Sequence, residues 1–167
     1  MSENTVPPSA PPTKTKRPFF SGVGCWGSLA VIFVSLILYV IACALPTMVF
    51  DKQTWRGYEV LLGGWMGVFL GQFAWFAHFF WWLALVLAFF RRWFLTIALT
   101  ALAFFIALDA FSFVGKTVPL DEAFVNTMIF KSYDVGFYFW LASILAVGIG
   151  ALAVWVIERV APKRSTR

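Results

Sequence analysis

The sequence predicts an all-α polytopic membrane protein whose four transmembrane helices form an antiparallel bundle. Four stretches are each at least 20 residues long and almost wholly apolar, and about 20 helical residues cross the ~30 Å hydrocarbon layer of a bilayer. Only 13% of the residues are charged and 61% are hydrophobic, whereas about 25% are charged in a typical soluble domain. The predicted spans are Trp26–Leu45, Val68–Phe90, Trp93–Val114 and Val135–Ile157.

The same stretches favour helices over a transmembrane β-barrel. Unpaired backbone groups are costly in lipid, so only helices and closed barrels span a bilayer. Barrel strands alternate apolar and polar side chains over about ten residues, whereas Phe79–Leu87 is an unbroken apolar run. Helices are therefore predicted for all four spans.

The distribution of basic residues predicts the orientation of the bundle. Nine of the 13 basic residues flank the termini and the short Arg91–Arg92 turn, and four lie in the other two loops. By the positive-inside rule, both termini and this turn are expected in the cytoplasm, and the loops Pro46–Gly67 and Gly115–Asp134 on the opposite side. The net charge of +5 forms no basic face, so we expect the lipid bilayer as a partner and no nucleic acid. The nine residues are Lys14, Lys16, Arg17, Arg91, Arg92, Arg159, Lys163, Arg164 and Arg167.

The chain divides into a membrane domain and two tails. Residues 1–18 contain five of the eight prolines among Ser, Thr and Lys, a composition that cannot bury a core, and we predict a disordered cytoplasmic tail. Residues 19–160 form the predicted four-helix transmembrane domain. Residues 161–167 are a short, basic cytoplasmic tail.

Two loop segments have a predicted conformation of their own. A second helix that began at Glu59 would be 32 residues and ~48 Å long, too long to stand upright in the hydrocarbon. Either it tilts and protrudes, or Glu59–Trp65 lies on the surface as a separate segment. In the largest loop, Val118–Glu122 has the composition of a turn followed by a helix start.

The two cysteines cannot pair with each other while the first span is helical. Cys25 and Cys43 are 18 residues apart, or ~27 Å along a helix, beyond disulfide reach. Val40–Cys43 resembles a lipoprotein-processing box, which would leave Cys43 lipidated. The alternative is that both cysteines pack in the bundle and Pro46 ends the helix.

Three polar groups are predicted at a common depth in the outer leaflet. From the outer ends of their spans, Asp109 lies ~7–8 Å, Gln72 ~6 Å and Tyr138 ~4–5 Å deep. A carboxyl group there must pair, protonate or face water. The layer is either a structural pin that fixes helix register, a site that handles protons or a ligand, or a contact with a partner subunit.

His78 is expected deeper, ~15 Å from the outer end and near the midplane. Its default state is a neutral imidazole bonded to a serine or a backbone carbonyl, and Ser35 and Ser143 are predicted at similar depths. A relay from His78 to Asp109 would need Tyr39 or a water. No Cys/His cluster accompanies the single histidine, so we predict no metal and no cofactor; a flat apolar cofactor or quinone between the aromatic helices is the alternative.

Two runs of small residues have helical spacing. Such residues let another backbone approach closely, either within the bundle or from a partner. The runs are Gly63, Gly67 and Gly71 at the head of helix two, and Ala142, Ala146 and Gly150 on helix four.

Short apolar motifs in three places resemble an uncharacterised group of small bacterial inner-membrane proteins with four predicted helices. The motifs are Ala42–Pro46, Gly64–Trp65 and Gly136–Ser143. The resemblance implies a location in the bacterial inner membrane and brings no known activity.

No catalytic motif accompanies these features: the sequence has no phosphate-binding loop, nucleophile elbow or zinc helix. We therefore predict that the protein is not an enzyme. We expect a structural or accessory subunit, or a regulatory or immunity protein of the membrane. It is expected to contact a membrane-protein partner or another copy of itself. The alternative is a small oligomeric transporter or channel that uses Asp109 and His78.

Overall fold

The computed structural model describes residues 23–119 and 127–160, of which 76% are helical. The predictions for the tails 1–18 and 161–167 lie outside the described residues. These residues form five α-helices, three 3₁₀ helices and four short strands, which lie in two pairs along the chain. The α-helices are α1 (Val23–Ala44), α2 (Gly57–Gly63), α3 (Ala77–Phe89), α4 (Trp93–Leu108) and α5 (Val135–Val160), and the 3₁₀ helices are Gly64–Leu70, Ala74–Phe76 and Asp109–Phe113.

Within residues 23–119 and 127–160, three helices are long and apolar enough to cross a membrane: Cys25–Ala44, Trp93–Phe113 and Val135–Val160. They coincide with the first, third and fourth predicted spans. Their outward faces carry large apolar side chains, among them Phe94, which is 78% exposed, and Phe105, which is 70% exposed. An exposed apolar surface of this extent is typical of a protein that contacts lipid.

The second predicted span, Val68–Phe90, differs from the prediction because it is not one helix. Gly71 has φ +70°, in the left-handed region, and ends the 3₁₀ helix Gly64–Leu70. Glycine adopts this conformation without the steric cost that other residues incur. The helix resumes only at Ala74, and α3 itself has 13 residues, or ~20 Å. The helical segments before the break, Gly57–Gly63 and Gly64–Leu70, are therefore separate from α3.

The all-α prediction is incomplete, because the two long loops form a four-stranded antiparallel sheet. Its strands are β1 (Pro46–Phe50), β2 (Thr54–Arg56), β3 (Thr117–Pro119) and β4 (Thr127–Tyr133), in the order β2-β1-β4-β3. Pro46 pairs with Arg56, Met48 with Tyr133, and Thr117 with Ile129. The turn predicted at the beginning of Val118–Glu122 is wrong, because Val118 and Pro119 lie in β3; the helix start predicted after it, at positions 120–122, lies outside the described residues.

The connections place the sheet at one end of the helices. A single residue, Leu45, separates α1 from β1, and only Asp134 separates β4 from α5. The inner face of the sheet packs on Phe113, the last residue of the 3₁₀ helix Asp109–Phe113 that follows α4. The buried residues of this cluster are Phe50, Phe113, Val118, Met128 and Phe130. At the opposite end, Glu158 of α5 pairs with Arg91 and accepts a hydrogen bond from Trp93 Nε1 at 2.8 Å.

Buried polar groups in the centre of the bundle satisfy one another. The Ser35 hydroxyl donates to the carbonyl oxygen of Ser143 at 2.8 Å and accepts from Trp81 Nε1 at 3.1 Å. These two hydrogen bonds join α1, α3 and α5, and all three residues are almost completely buried. Hydrogen bonds between helices of this kind contribute about 0.6 kcal/mol each in a membrane.

Candidate functional site

Asp109 accepts a hydrogen bond from the backbone at the break in the second predicted span. It begins the 3₁₀ helix that follows α4, and its Oδ2 accepts the backbone N–H of Phe73 at 2.8 Å. Gln72 Nε2 donates to the carbonyl oxygen of Asp109 at 3.2 Å and to the Ser112 hydroxyl at 2.7 Å. We name these four residues, Gln72, Phe73, Asp109 and Ser112, the helix-break cluster.

The helix-break cluster supplies a hydrogen-bond acceptor at the point where the helix is interrupted. Phe73 immediately precedes the helical segment that leads into α3, and the first N–H groups of a helix have no partner within it. A carboxylate at this end also interacts favourably with the helix dipole. Irregular backbone at membrane depth is tolerated only where its polar groups are satisfied. Asp109 supplies such a partner to the Phe73 N–H, and Gln72 donates to the carbonyl oxygen of Asp109 in the 3₁₀ helix that follows α4.

Tyr133, and not the predicted Tyr138, is the phenol beside this cluster. Tyr138 is 56% exposed on the outside of α5. The Tyr133 hydroxyl donates to the carbonyl oxygen of Ala110 at 2.5 Å, and its ring stacks on Phe137 at 3.9 Å between centroids. Burial, and secondarily the charge of Asp109, raise the pKa of the Tyr133 phenol. The hydroxyl therefore stays protonated and acts as a donor.

Sequence reasoning missed Tyr133 and Ser112 for different reasons. Tyr133 ends β4, a strand that was not predicted. Ser112 lies three residues after Asp109, on the same helical face, so a search for polar neighbours at that spacing finds it.

His78 lies at the sheet end of the bundle and not at the midplane where it was predicted. The depth estimate counted from Val68, whereas α3 begins at Ala77. His78 Nδ1 lies 2.7 Å from the carbonyl oxygen of Trp75. Because a carbonyl only accepts, Nδ1 carries the proton and Nε2 is left as an acceptor. Within residues 23–119 and 127–160, no hydrogen bond joins His78 to Asp109.

A cavity of about 600 Å³ lies between the bundle and the sheet. Its apolar wall comes from α1, α5, the 3₁₀ helix Gly64–Leu70 and the inner face of the sheet. We name it the outer cavity. His78, Tyr39 and Trp140 line it, and the described residues around it include no Asp, Glu, Lys or Arg. Trp140 Nε1 is buried and has no hydrogen-bond partner among the described residues, and the buried Tyr39 hydroxyl lies beside the Cys43 thiol.

The two small-residue runs are placed differently. Gly63, Gly67 and Gly71 span α2, a 3₁₀ helix and a left-handed turn, so they do not line one face of an α-helix as predicted. On α5, Gly150 packs against Val31 of α1, where an added β carbon would lie 2.5 Å from a Val31 methyl group. Ala142 and Ala146 are half-buried on the same helix. Gly150 therefore lies at a close contact between α1 and α5 within the chain.

In the part of the chain that the structure describes, no three His, Cys, Asp or Glu side chains are grouped so that they could hold a metal ion. Cys25 and Cys43 are both free and lie within α1. In comparisons with known proteins, no family model, curated protein or solved structure matches this chain.

Proposed function

We propose that the chain is a bacterial inner-membrane protein that crosses the bilayer four times, with both termini in the cytoplasm and the sheet on the other side. The outward apolar faces of the three long helices support insertion. The fourth crossing is the 16-residue stretch Ala74–Phe89, which covers ~24 Å as a helix. This stretch is shorter than the ~30 Å hydrocarbon layer, and the apolar segment Gly64–Leu70, before the break, covers the remaining thickness.

We further propose that the protein is a non-catalytic accessory or regulatory subunit that presents the sheet to a partner. The observation that carries this proposal is the division of the sheet into two faces. Along β4, Met128 and Phe130 are buried against the bundle, whereas Thr127, Ile129 and Lys131 are exposed. A water-facing surface on a rigid apolar base is suited to recognition, because little order has to be gained on binding.

The transporter alternative has less support. The Asp109 carboxylate already accepts a backbone N–H at the break, and His78 is bonded to the carbonyl oxygen of Trp75. Both groups have local structural partners, so the contact surface is the better proposal.

Co-purification in mild detergent tests the role of the sheet. A tagged full-length protein is expected to retain its partner, or a differently tagged second copy. The double variant Ile129→Ala/Lys131→Ala should lose at least about ten-fold of that material, since central interface residues contribute more than about 1 kcal/mol each. Arg92→Ala removes an exposed basic residue at the opposite end of the bundle and should leave retention unchanged.

Two results would contradict this proposal. One is equal retention by the double variant and the parent. The other is recovery of the parent alone and monomeric by native mass spectrometry of the detergent extract.

A further inference from the structure

The opening of the outer cavity runs along one apolar segment of the chain. The cavity is not enclosed. Of the described residues that line it, only two are exposed: Met66, at 49%, and Phe69, at 82%. Both belong to the 3₁₀ helix Gly64–Leu70. The mouth of the cavity therefore lies beside this helix.

The surroundings of the mouth are apolar as well. Trp65 and Val68, on the same 3₁₀ helix, are 50% and 37% exposed, and the sequence has no charged residue between Glu59 and Arg91. Large apolar side chains that are exposed together are unfavourable in water and are typical of a surface that contacts lipid. In the membrane crossing proposed above, the mouth therefore faces hydrocarbon.

The interior of the cavity favours an uncharged and apolar occupant. Side chains such as Met48, Leu61 and Leu70 line it, and no charged side chain of the described residues does. Gln72 Nε2 and His78 Nδ1, also in the lining, are bonded within the protein. An ionised group would lose its hydration there without a compensating cation, whereas a hydrocarbon chain has no hydration to lose.

The size of the cavity favours a single chain over a helix of another protein. The volume of about 600 Å³ lies in the usual range of small-molecule sites, about 300–1,000 Å³. An α-helix with its side chains is about 10–12 Å across, so the same volume would hold at most about 8 Å of its length. An unbranched hydrocarbon chain is much thinner, and lipid supplies such chains at the mouth.

We propose that the outer cavity takes up one acyl chain of a membrane phospholipid, which enters beside Met66 and Phe69 and ends between the bundle and the sheet. The head group stays outside, where it keeps its hydration. Inside, the chain gains van der Waals contacts with the inner face of the sheet, which bulk lipid does not provide. This inference rests on the membrane insertion proposed above and is independent of any partner on the outer face of the sheet.

Photolabelling from the end of a lipid chain tests the site. The full-length protein is reconstituted in nanodiscs that contain a phosphatidylethanolamine with a diazirine at the methyl end of one acyl chain. In bulk lipid this end lies near the midplane of the bilayer, whereas a chain in the cavity carries it to Met48 on β1 and Leu61 on α2. After irradiation, peptide mass spectrometry should find the label at both residues. Phe105, which is 70% exposed on α4, reports the labelling by bulk lipid.

A variant that narrows the cavity separates a bound chain from accidental contact. Gly63 lines the cavity, and an added β carbon would meet nothing closer than Met66 Cε at 3.8 Å, so Gly63→Leu occupies space that the chain needs. Labelling of Met48 and Leu61 should fall at least about five-fold, and that of Phe105 should stay unchanged.

Leu62→Phe is the matched control on the same helix, because Leu62 is 73% exposed and does not line the cavity. It should leave the labelling of all three residues unchanged. Should Gly63→Leu fail to fold, Val60→Phe, which enlarges another side chain of the lining, carries the comparison.

Two results would overturn the proposal: a label confined to Phe105 in the parent, or a label at Met48 that the folded cavity variants leave unchanged. Absence of the label from Phe105 as well would overturn membrane insertion, and this proposal with it. Retention of a partner in co-purification should be the same for Gly63→Leu and the parent, so the test of the sheet surface fails independently.

Discussion

At the scale of single residues, Asp109 explains how a glycine turn is accommodated within an apolar protein. Gly71 turns the chain into the left-handed region, and the helix that follows begins with N–H groups that lack partners. Asp109 accepts one of them, from Phe73, and Gln72 ties the same turn to Ser112. The carboxylate is therefore a structural partner of the break.

Replacement of Asp109 measures this role. Asp109→Ala should lower the free energy of unfolding in detergent by about 2 kcal/mol, because it leaves the Phe73 N–H without an acceptor and removes a charge-assisted bond. Gln72→Ala should lower the free energy of unfolding less, because it leaves only two acceptors, the Asp109 carbonyl oxygen and the Ser112 hydroxyl, without this donor. Asp109→Asn is the matched control, because it keeps an acceptor oxygen and should lose about half as much. Equal thermal stability of Asp109→Ala and the parent would rule the role out.

The sequence was informative about polar residues on helices and uninformative about those beside the sheet. Depth along a helix follows from residue number, so Asp109 and Gln72 were assigned to one level and hydrogen bonds join their segments. The same counting misplaced His78, because the start of α3 was set too early. Tyr138 was preferred to Tyr133 because nothing in the helical pattern indicated that a strand would bring Tyr133 to Asp109.

At the scale of elements, the long apolar stretches predicted the three long helices, but two smaller features, the break at Gly71 and the short strands, were not predicted from them. In Val68–Phe90 the hydrophobicity is continuous, yet Gly71 interrupts the backbone. In the two long loops the strands are three to seven residues long. Their alternation, clear in the buried Met128 and Phe130, is too short to stand out beside helices of more than 20 residues.

The junction between α1 and α2 depends on a glycine that sequence reasoning did not single out. A β carbon at position 57 would lie 2.1 Å from the carbonyl oxygen of Ala42, which is backbone and cannot move aside, whereas one at position 63 would meet nothing closer than 3.8 Å. Gly57→Ala should therefore destabilise the protein by about 1–3 kcal/mol through overpacking.

Gly63→Ala, the same substitution six residues later, should be neutral or slightly stabilising. Thermal unfolding of both variants in detergent checks the comparison. Equal stability of the two variants would show that α2 does not pack against the end of α1 as described.

At the scale of the whole molecule, the fold combines an apolar helical bundle with a sheet at one end. The basic turn Arg91–Arg92 lies at the other end, where Arg91 pairs with Glu158. The proposed orientation, with this turn in the cytoplasm and the sheet on the other side, rests on the distribution of basic residues. The proposal for the sheet surface depends on that orientation.

Cysteine labelling in intact cells tests the orientation most directly. After Cys25→Ser and Cys43→Ala, single cysteines are introduced by Ser132→Cys, on the exposed side of β4, and by Ser165→Cys, in the C-terminal tail. A membrane-impermeant maleimide should label position 132 in cells whose outer membrane is permeabilised, and position 165 only after the inner membrane is lysed. Labelling of both positions before lysis would show that α5, which separates them, does not cross the membrane, and would contradict the proposed topology. Labelling of position 165 alone would reverse the orientation.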